Sequence, residues 1–505
     1  MRKKKVALVN PPNQYMLPSN TPAFLSKKEG VGALPPLGLL FIASYLKKNS
    51  DHELLFLDGV VDKLDHQTIA QRIVDFKADV VGITTITFFL VDCIQVAKAI
   101  KKLEPSIKVV MGGPHVAIYP EETAKLGCCD FVLKGECEQS FTQLVNHIED
   151  EEEIKKINGI YFKTKNGTFF SNPHVDFVQD LDSLPFPDRS LIPYKKYNSI
   201  LSQEKLGGGY VTTIFSSRGC PFKCIFCDRP TLGKNFRFHS PEYVLSEIQH
   251  AYSLGVREFF FYDDTFTINR ERVMKLCQLI LANNLKIIFD IRTRVNNVDE
   301  ELLTVMKRAG LGRVHYGIEA GSEEILKKLK KGITKSLARK ALKATKNLGI
   351  ECLGYFMFGA PSETKKQMLE TVAFAKELSP DYCHFAVLTP FPGTPIYLEM
   401  VQNNLTADYW KAYAENPTPN FVPPFYPAGL SREELIIILS RAYKKFYMTP
   451  KYILKQLIKI RTPGMLWKRM RVFFNLFFTK TKKLIALDPE NTSFEKATPM
   501  EGFFQ

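Results

Sequence analysis

Cys220, Cys224 and Cys227 stand at C-x3-C-x2-C spacing in the stretch Ser217-Arg218-Gly219-Cys220-Pro221-Phe222-Lys223-Cys224-Ile225-Phe226-Cys227. A loop this tight offers three thiolates to one inorganic centre. A four-iron cluster normally takes four cysteine thiolates, so three without a nearby fourth leave one iron open to a small molecule. Such a cluster does chemistry rather than only carrying electrons. Zinc is the rival metal, but structural zinc uses four ligands, usually as two separated pairs, and the nearest histidine, His239, lies twelve residues past Cys227. Cysteine arithmetic therefore favours an open iron–sulfur cluster.

The motif resembles that of the radical S-adenosylmethionine (SAM) superfamily, whose open iron binds the amino and carboxylate groups of SAM. The resemblance implies metal ligands Cys220, Cys224 and Cys227 and a set of SAM contacts at the strand ends of a partial barrel. Phe226 would pack near adenine. Asp263 and Asp264, in Tyr262-Asp263-Asp264-Thr265-Phe266, would accept hydrogen bonds from the SAM ammonium, since a carboxylate suits a cation. Arg292 of Arg292-Thr293-Arg294 would face the SAM carboxylate. Glu319 of Gly317-Ile318-Glu319 would accept ribose hydroxyls, and Gly359 and Pro361 of the G-x-P-x-E element would lie near adenine. Thr389 to Pro395 would border the substrate. Each position also has a plainer role as core packing, a turn or a helix cap.

Three regions position these residues. The fold class read from the alternation of short apolar runs and amphipathic stretches is α/β, with an N-terminal doubly wound, Rossmann-like parallel sheet and a helical C-terminal extension; for the second set of strands the resemblance implies a partial (β/α)6 barrel of the radical SAM type. The boundaries read as 1–150, a linker with a hairpin over 151–205, the barrel over 206–430 and the extension over 431–505. In the first region, strands end at Asn10-Pro11-Pro12, Asp58-Gly59, Thr84-Thr85 and Gly112-Gly113-Pro114-His115, where a doubly wound sheet binds ligands. With its Pro35-Pro36-Leu37-Gly38 and Gly135-Glu136 elements, this region resembles the cobalamin-binding domain of B12-dependent radical SAM proteins. The resemblance implies cobalamin, with Thr84, Gly112, Gly113 and His115 as contacts. No D-x-H-x-x-G motif supplies a lower axial histidine, so His115 reads as a loop or contact residue rather than a cobalt ligand.

A chain of 505 residues exceeds one core, and its 45% hydrophobic content is that of an ordinary globular protein. Only three of the ten cysteines are clustered, which argues against a disulfide framework and for a reducing, cytoplasmic setting. The basic start Met1 to Lys5 is followed by too short an apolar run for a signal peptide, and no apolar stretch reaches membrane-spanning length. Thirteen bases and no acid lie between Arg441 and Lys483, which accounts for most of the net charge of +15. Two readings stand for this segment and its aromatic stretch from Met465 to Phe478: a helix lying in a membrane interface with bases at the headgroups, or a helix packed on the barrel with a basic outer face. Nucleic acid is not expected, as no RNA-binding module is apparent.

By resemblance, the reduced cluster would cleave SAM to methionine and a 5′-deoxyadenosyl radical, which takes hydrogen from an unactivated carbon. With cobalamin present, a methyl group would pass to that carbon. The implied partners are a small, hydrophobic substrate (a lipid, isoprenoid, tetrapyrrole or secondary metabolite) and an electron donor such as flavodoxin or ferredoxin. The family also includes the anaerobic magnesium-protoporphyrin monomethyl ester cyclase, so ring closure or oxidation without methyl transfer remains open. A non-catalytic redox or membrane-surface scaffold is the third reading, and it leaves the SAM-type strand ends without a purpose.

Overall fold

The computed structural model describes residues 2–17, 32–199, 202, 210–227, 231–427, 429–458 and 470. Near the N-terminus, seven strands form one sheet: β1 (Lys5–Asn10), β2 (Glu53–Asp58), β3 (Val80–Thr84), β4 (Lys108–Gly112), β5 (Phe131–Leu133), β6 (Ile160–Lys163) and β7 (Phe169–Ser171). Their order is 2-1-3-4-5-6-7, with the first five parallel. The run Val6-Ala7-Leu8-Val9 is apolar throughout because both sheet faces are covered. Val6 and Leu8 meet the helices Leu37–Asn49 and Cys137–Asn146, whereas Ala7 and Val9 meet His66–Phe76 and Leu90–Leu103. The chain leaves β1 toward β2 on one side and returns past it to β3 on the other. A crevice therefore opens between the C-terminal ends of β1 and β3.

The hairpin around Lys165-Asn166-Gly167 does not stay in the linker. Its two strands extend the first sheet antiparallel from β5, because Phe131, Phe162 and Phe170 stack across the strands with ring centroids 5.5 Å apart at each step. The rest of the linker is fixed to both sides. The Asp188 N–H donates to Ser44 Oγ (2.8 Å), and the fully buried Arg189 donates to Thr212 Oγ1, the Thr213 carbonyl and Glu247.

Six parallel strands form the second sheet in sequential order: β8 (Tyr210–Ile214), β9 (Val256–Phe261), β10 (Ile288–Thr293), β11 (Leu311–Glu319), β12 (Glu351–Phe358) and β13 (Tyr382–Val387). The two edge strands, β8 and β13, do not pair with each other, so the barrel is partial. Side chains alternate across each strand. Phe259, Phe289, Val314, Tyr316 and Phe356 pack outward into the helical layer, and Asp290, Arg292, Arg313, His315 and Tyr355 fall on the opposite, lumenal face.

After β13 the chain returns to the first sheet, where Trp410, Tyr413 and Phe421 join the core that holds Ala7 and Val9. The helix Arg432–Tyr447 then covers the barrel edge. The Tyr443 hydroxyl bridges the Phe385 N–H and carbonyl (3.0 and 2.9 Å), and the Tyr447 hydroxyl does the same at Cys383 (2.8 and 2.7 Å). Arg441 and Lys445 sit on its exposed face, so this first part of the basic segment is a packed helix. The aromatic stretch 465–478 lies outside the described residues apart from Met470. Among the described residues no helix is long and apolar enough to cross a membrane.

Candidate active site

The cysteine loop leaves a short antiparallel ribbon, Ser217–Arg218 against Arg237–Phe238. Gly219, at φ +84°, allows the turn: a Cβ there would lie 2.2 Å from the Asn235 carbonyl oxygen. The loop is held from outside by Cys220 N–H on the Gly233 carbonyl (3.4 Å) and Ile225 N–H on the Leu329 carbonyl (3.2 Å). None of the three cysteines is in a disulfide, and Cys224 is buried while the other two are half-buried. Burial, and then the Asp264 carboxylate and the neighbouring thiols, push the Cys227 thiol up to about 12; burial is also the main cause that raises Cys220. Anionic sulfurs here need a local cation. The Arg294 guanidinium supplies one: it donates to Cys224 Sγ (3.3 Å) while lying 4.0 Å over the Phe222 ring. Among the described residues no three His, Cys, Asp or Glu side chains converge on a single ion. Three thiols on one loop, none of them in a disulfide, are a donor set suited to a cluster that takes one thiolate per iron.

The two adjacent acids expected at the SAM ammonium have different surroundings. Asp263 is fully buried, and its carboxylate accepts from Ser216 N–H (2.7 Å), Ser216 Oγ (2.5 Å) and Ser217 Oγ (2.7 Å), with Arg272 at 3.6 Å. It braces the root of the cysteine loop. Asp264 is exposed and lies within electrostatic reach of Cys220 and Cys227. Glu319 closes β11 at φ +69° and pairs with the buried Lys331 (2.6 Å), whose ammonium is 5.7 Å from the Phe226 ring centroid. Gly317 makes room for that pair, because a Cβ there would lie 2.5 Å from Glu319 Oε1 and 2.7 Å from Lys331 Nζ. Arg292 lies 3.9 Å over the Tyr262 ring. Gly359, at φ +85°, and Ala360 donate their N–H groups to Glu363 Oε2 (2.8 and 3.0 Å), shaping the turn that contains Pro361. Glu363 Oε1 has no hydrogen-bond partner, and burial pushes this carboxyl up to about 7.

The first sheet ends differently. Asp58 Oδ1 takes Asn10 Nδ2 (2.9 Å) and the Val60 N–H (3.0 Å), while Asp58 Oδ2 takes the Tyr197 hydroxyl (2.6 Å). Thr84 pairs with Gly112, and Gly113, at φ +110°, lies so close that a Cβ would meet the Thr85 carbonyl oxygen at 3.0 Å and Thr84 Oγ1 at 3.2 Å. The His115 ring is wholly buried, with Nδ1 on Thr87 Oγ1 (3.1 Å), and burial lowers its pKa to about 3. This histidine braces the loop from inside. A floor of glycine, threonine and backbone suits a flat ligand held by shape.

The two ends face each other. Phe88, just beyond β3, meets Phe391, just beyond β13, with ring centroids 5.8 Å apart. Following β5, Glu136 accepts two hydrogen bonds from Arg237 (2.8 Å each) and one from the Val178 N–H (2.8 Å). Arg218, two residues before Cys220, pairs with Glu136 (3.3 Å) and Glu138 (2.7 Å). All four charged side chains are nearly buried. The sequence does not single out Arg294, Lys331 or this four-residue network; the only prior signal was the Gly135-Glu136 element.

With both apposed ends in view, the comparisons decide the family. Residues 214–375 match the Radical SAM superfamily and residues 29–145 the B12 binding domain. An uncharacterized methyltransferase of Pyrococcus horikoshii is 35% identical over 464 residues, covering 91% of this chain and 96% of that protein. The chain belongs to the cobalamin-binding radical SAM family. It is also similar to the anaerobic magnesium-protoporphyrin IX monomethyl ester cyclase of Rubrivivax gelatinosus, with 27% identity over 84% of this chain and 76% of that protein. Its fold is that of the radical SAM methyltransferase TsrM of Kitasatospora setae, at TM-score 0.70 and 18% identity, covering 87% of this chain and 89% of that one. The cobalamin-dependent radical enzyme OxsB gives TM-score 0.71 at 17% identity, covering 94% and 72%. As members of this family do, the chain uses a [4Fe–4S] cluster, SAM and cobalamin.

Proposed function

We propose that the protein methylates an unreactive carbon of a small molecule. The supporting observation is the apposition of the two sheet ends through Phe88 and Phe391 and through the buried Glu136, Arg237, Arg218 and Glu138 network. Cluster and cobalamin together supply the electron that cleaves SAM and the methyl group that is delivered. The chain's own residues bind and orient. Cys220, Cys224 and Cys227 hold the cluster, and Arg294 offsets charge at Cys224. Asp264 receives the SAM ammonium, with Asp263 holding the loop in place behind it. Glu319, fixed by Lys331, takes ribose hydroxyls, while Phe226 and the turn from Gly359 to Pro361 flank adenine. Thr84, Gly112 and Gly113 form the floor for cobalamin, and His115 supports that floor. Packed rings at the join keep water from the gap between the ends. The electron would come from a donor of the flavodoxin or ferredoxin class.

The test is anaerobic incubation of the cobalamin-loaded enzyme with cell extract and SAM carrying a deuterated methyl group. A small molecule that gains the labelled methyl only when enzyme and cobalamin are present is the expected result. A product that loses hydrogen and carries no label would instead assign ring closure or oxidation.

A further inference from the structure

Arg294 directly follows β10 and is only 6% exposed. Its guanidinium lies 4.0 Å over the Phe222 ring, and its Nη1 donates to Cys224 Sγ at 3.3 Å. Phe222 stands between Cys220 and Cys224, so the cysteine loop carries its own clamp for this side chain. A guanidinium held by its face keeps its donor edge available for bonding. That edge meets a sulfur the cluster would use.

Other buried cations around the loop are matched by carboxylates. Arg218 pairs with Glu136 (3.3 Å) and Glu138 (2.7 Å), Lys331 pairs with Glu319 (2.6 Å), and Arg272 approaches Asp263 at 3.6 Å. Arg294 differs: among the described residues no carboxylate stands within ion-pair distance of it, and its buried Nε has no hydrogen-bond partner. A buried charge is costly unless an anion compensates it, and arginine does not give up its proton in proteins. The compensating anion here is Cys224 as a ligating thiolate. The other two sulfurs have an opposite neighbour, since the Asp264 carboxylate is within electrostatic reach of Cys220 and Cys227. Asp264 is exposed and screened by water, whereas Arg294 is buried and in contact, so the arginine has the larger effect.

Net charge and hydrogen bonds to the sulfurs set the reduction potential of an iron–sulfur cluster. Reduction adds one negative charge, and a bonded cation stabilises that state more than the oxidised one. We propose that Arg294, clamped on Phe222 and bonded to Cys224 Sγ, is a positioning residue that raises the reduction potential of the cluster. This rests on the radical SAM reading above and adds to it the residue that sets how readily the cluster accepts its electron. One electron leaves the external donor, which is oxidised by one equivalent, and the cluster is reduced by one. Arg294 keeps all its protons throughout.

The test is a redox titration of the anaerobic, SAM-free holoenzyme, following the reduced cluster by electron paramagnetic resonance. Arg294→Gln keeps an N–H donor and removes the charge. At the wild-type midpoint its ratio of reduced to oxidised cluster should fall at least about tenfold, equivalent to a potential lower by about 59 mV for a one-electron couple, with iron content as in the wild type. Phe222→Leu frees the guanidinium without removing it and should lower the same ratio by about threefold; it decides the matter if the Gln variant takes up no iron. A ratio within about twofold of wild type in an iron-loaded Gln variant, or a potential that rises, would overturn the proposal. So would absence of iron from both variants, which makes Arg294 a requirement for building the cluster, and so would an unchanged potential with a tenfold loss of SAM affinity, which assigns the guanidinium to SAM. Wild-type protein that takes up no cluster would bring down the underlying reading as well, whereas the outcomes above leave that reading standing.

Discussion

The ends of the two sheets solve opposite binding problems. At the barrel end, groups that must bond or carry charge are individual side chains: three thiols, the Arg294 guanidinium on Cys224, Asp264 near the loop and the Glu319–Lys331 pair. Behind them Asp263 is fixed in turn by Ser216 and Ser217. At the end of the first sheet the floor is Gly112, Gly113 and Thr84, with His115 turned into the core. A coordinated centre demands particular donors at particular places. A broad ligand held by contact demands absence of bulk. The first leaves a motif in the sequence, and the second leaves glycines.

This contrast can be broken most completely from the barrel side. Cys224→Ala removes one of three thiolates, so iron content and SAM cleavage should fall to background while corrinoid binding persists; corrinoid lost in parallel would mean that the ends are not separable. The join between them comes next. Glu136→Gln strips a buried carboxylate from two arginines, and breaking such a pair costs about 3–5 kcal/mol. Chemical denaturation should record a loss of that size, and both cofactors should load poorly. A stability change below about 1 kcal/mol would show that the network carries little.

Gly113→Ala attacks only the first sheet. At φ +110° and against the Thr85 carbonyl, the added methyl costs up to about 3 kcal/mol locally. Corrinoid occupancy should drop with iron unchanged, and an occupancy equal to wild type would remove Gly113 from the floor. The smallest effect sharpens the barrel side through pH. Glu363 has its pKa raised from the ordinary 4.5 to about 7 by burial, so the folded state binds the extra proton between those values. Its contribution to stability is full below about 4.5 and is lost as pH rises through about 7, on the order of 3 kcal/mol. Denaturation at pH 5 and pH 8 should show wild type losing stability relative to Glu363→Gln; parallel behaviour would place the Glu363 carboxyl in a wetter environment.

Much of this was legible in the chain. The cysteine spacing and the rhythm of strands and helices mark the cluster loop and both sheets, since periodicity follows burial. Adjacent residues are where the sequence fails. Asp263 and Asp264 are chemically alike, and only the fold assigns one to Ser216 and the other to the open side of the loop. Arg292 and Arg294 share a strand face, and only the placement of the cysteine loop makes Arg294 its contact. Long-range returns are equally silent. Nothing local in Trp410, Tyr413 or Phe421 says that they complete the core of the first sheet, and the hairpin after β5 joins that sheet through aromatic pairs formed only on folding.

In the proposed function, two ends of one molecule hold two cofactors that act together. The most direct measurement is anaerobic purification with cobalamin supplied, then quantitation of iron and corrinoid and an assay for 5′-deoxyadenosine from SAM and reductant. One four-iron cluster and one corrinoid per chain are expected, with SAM cleavage that depends on the cluster. A cluster that cleaves SAM in protein that takes up no corrinoid would contradict that function.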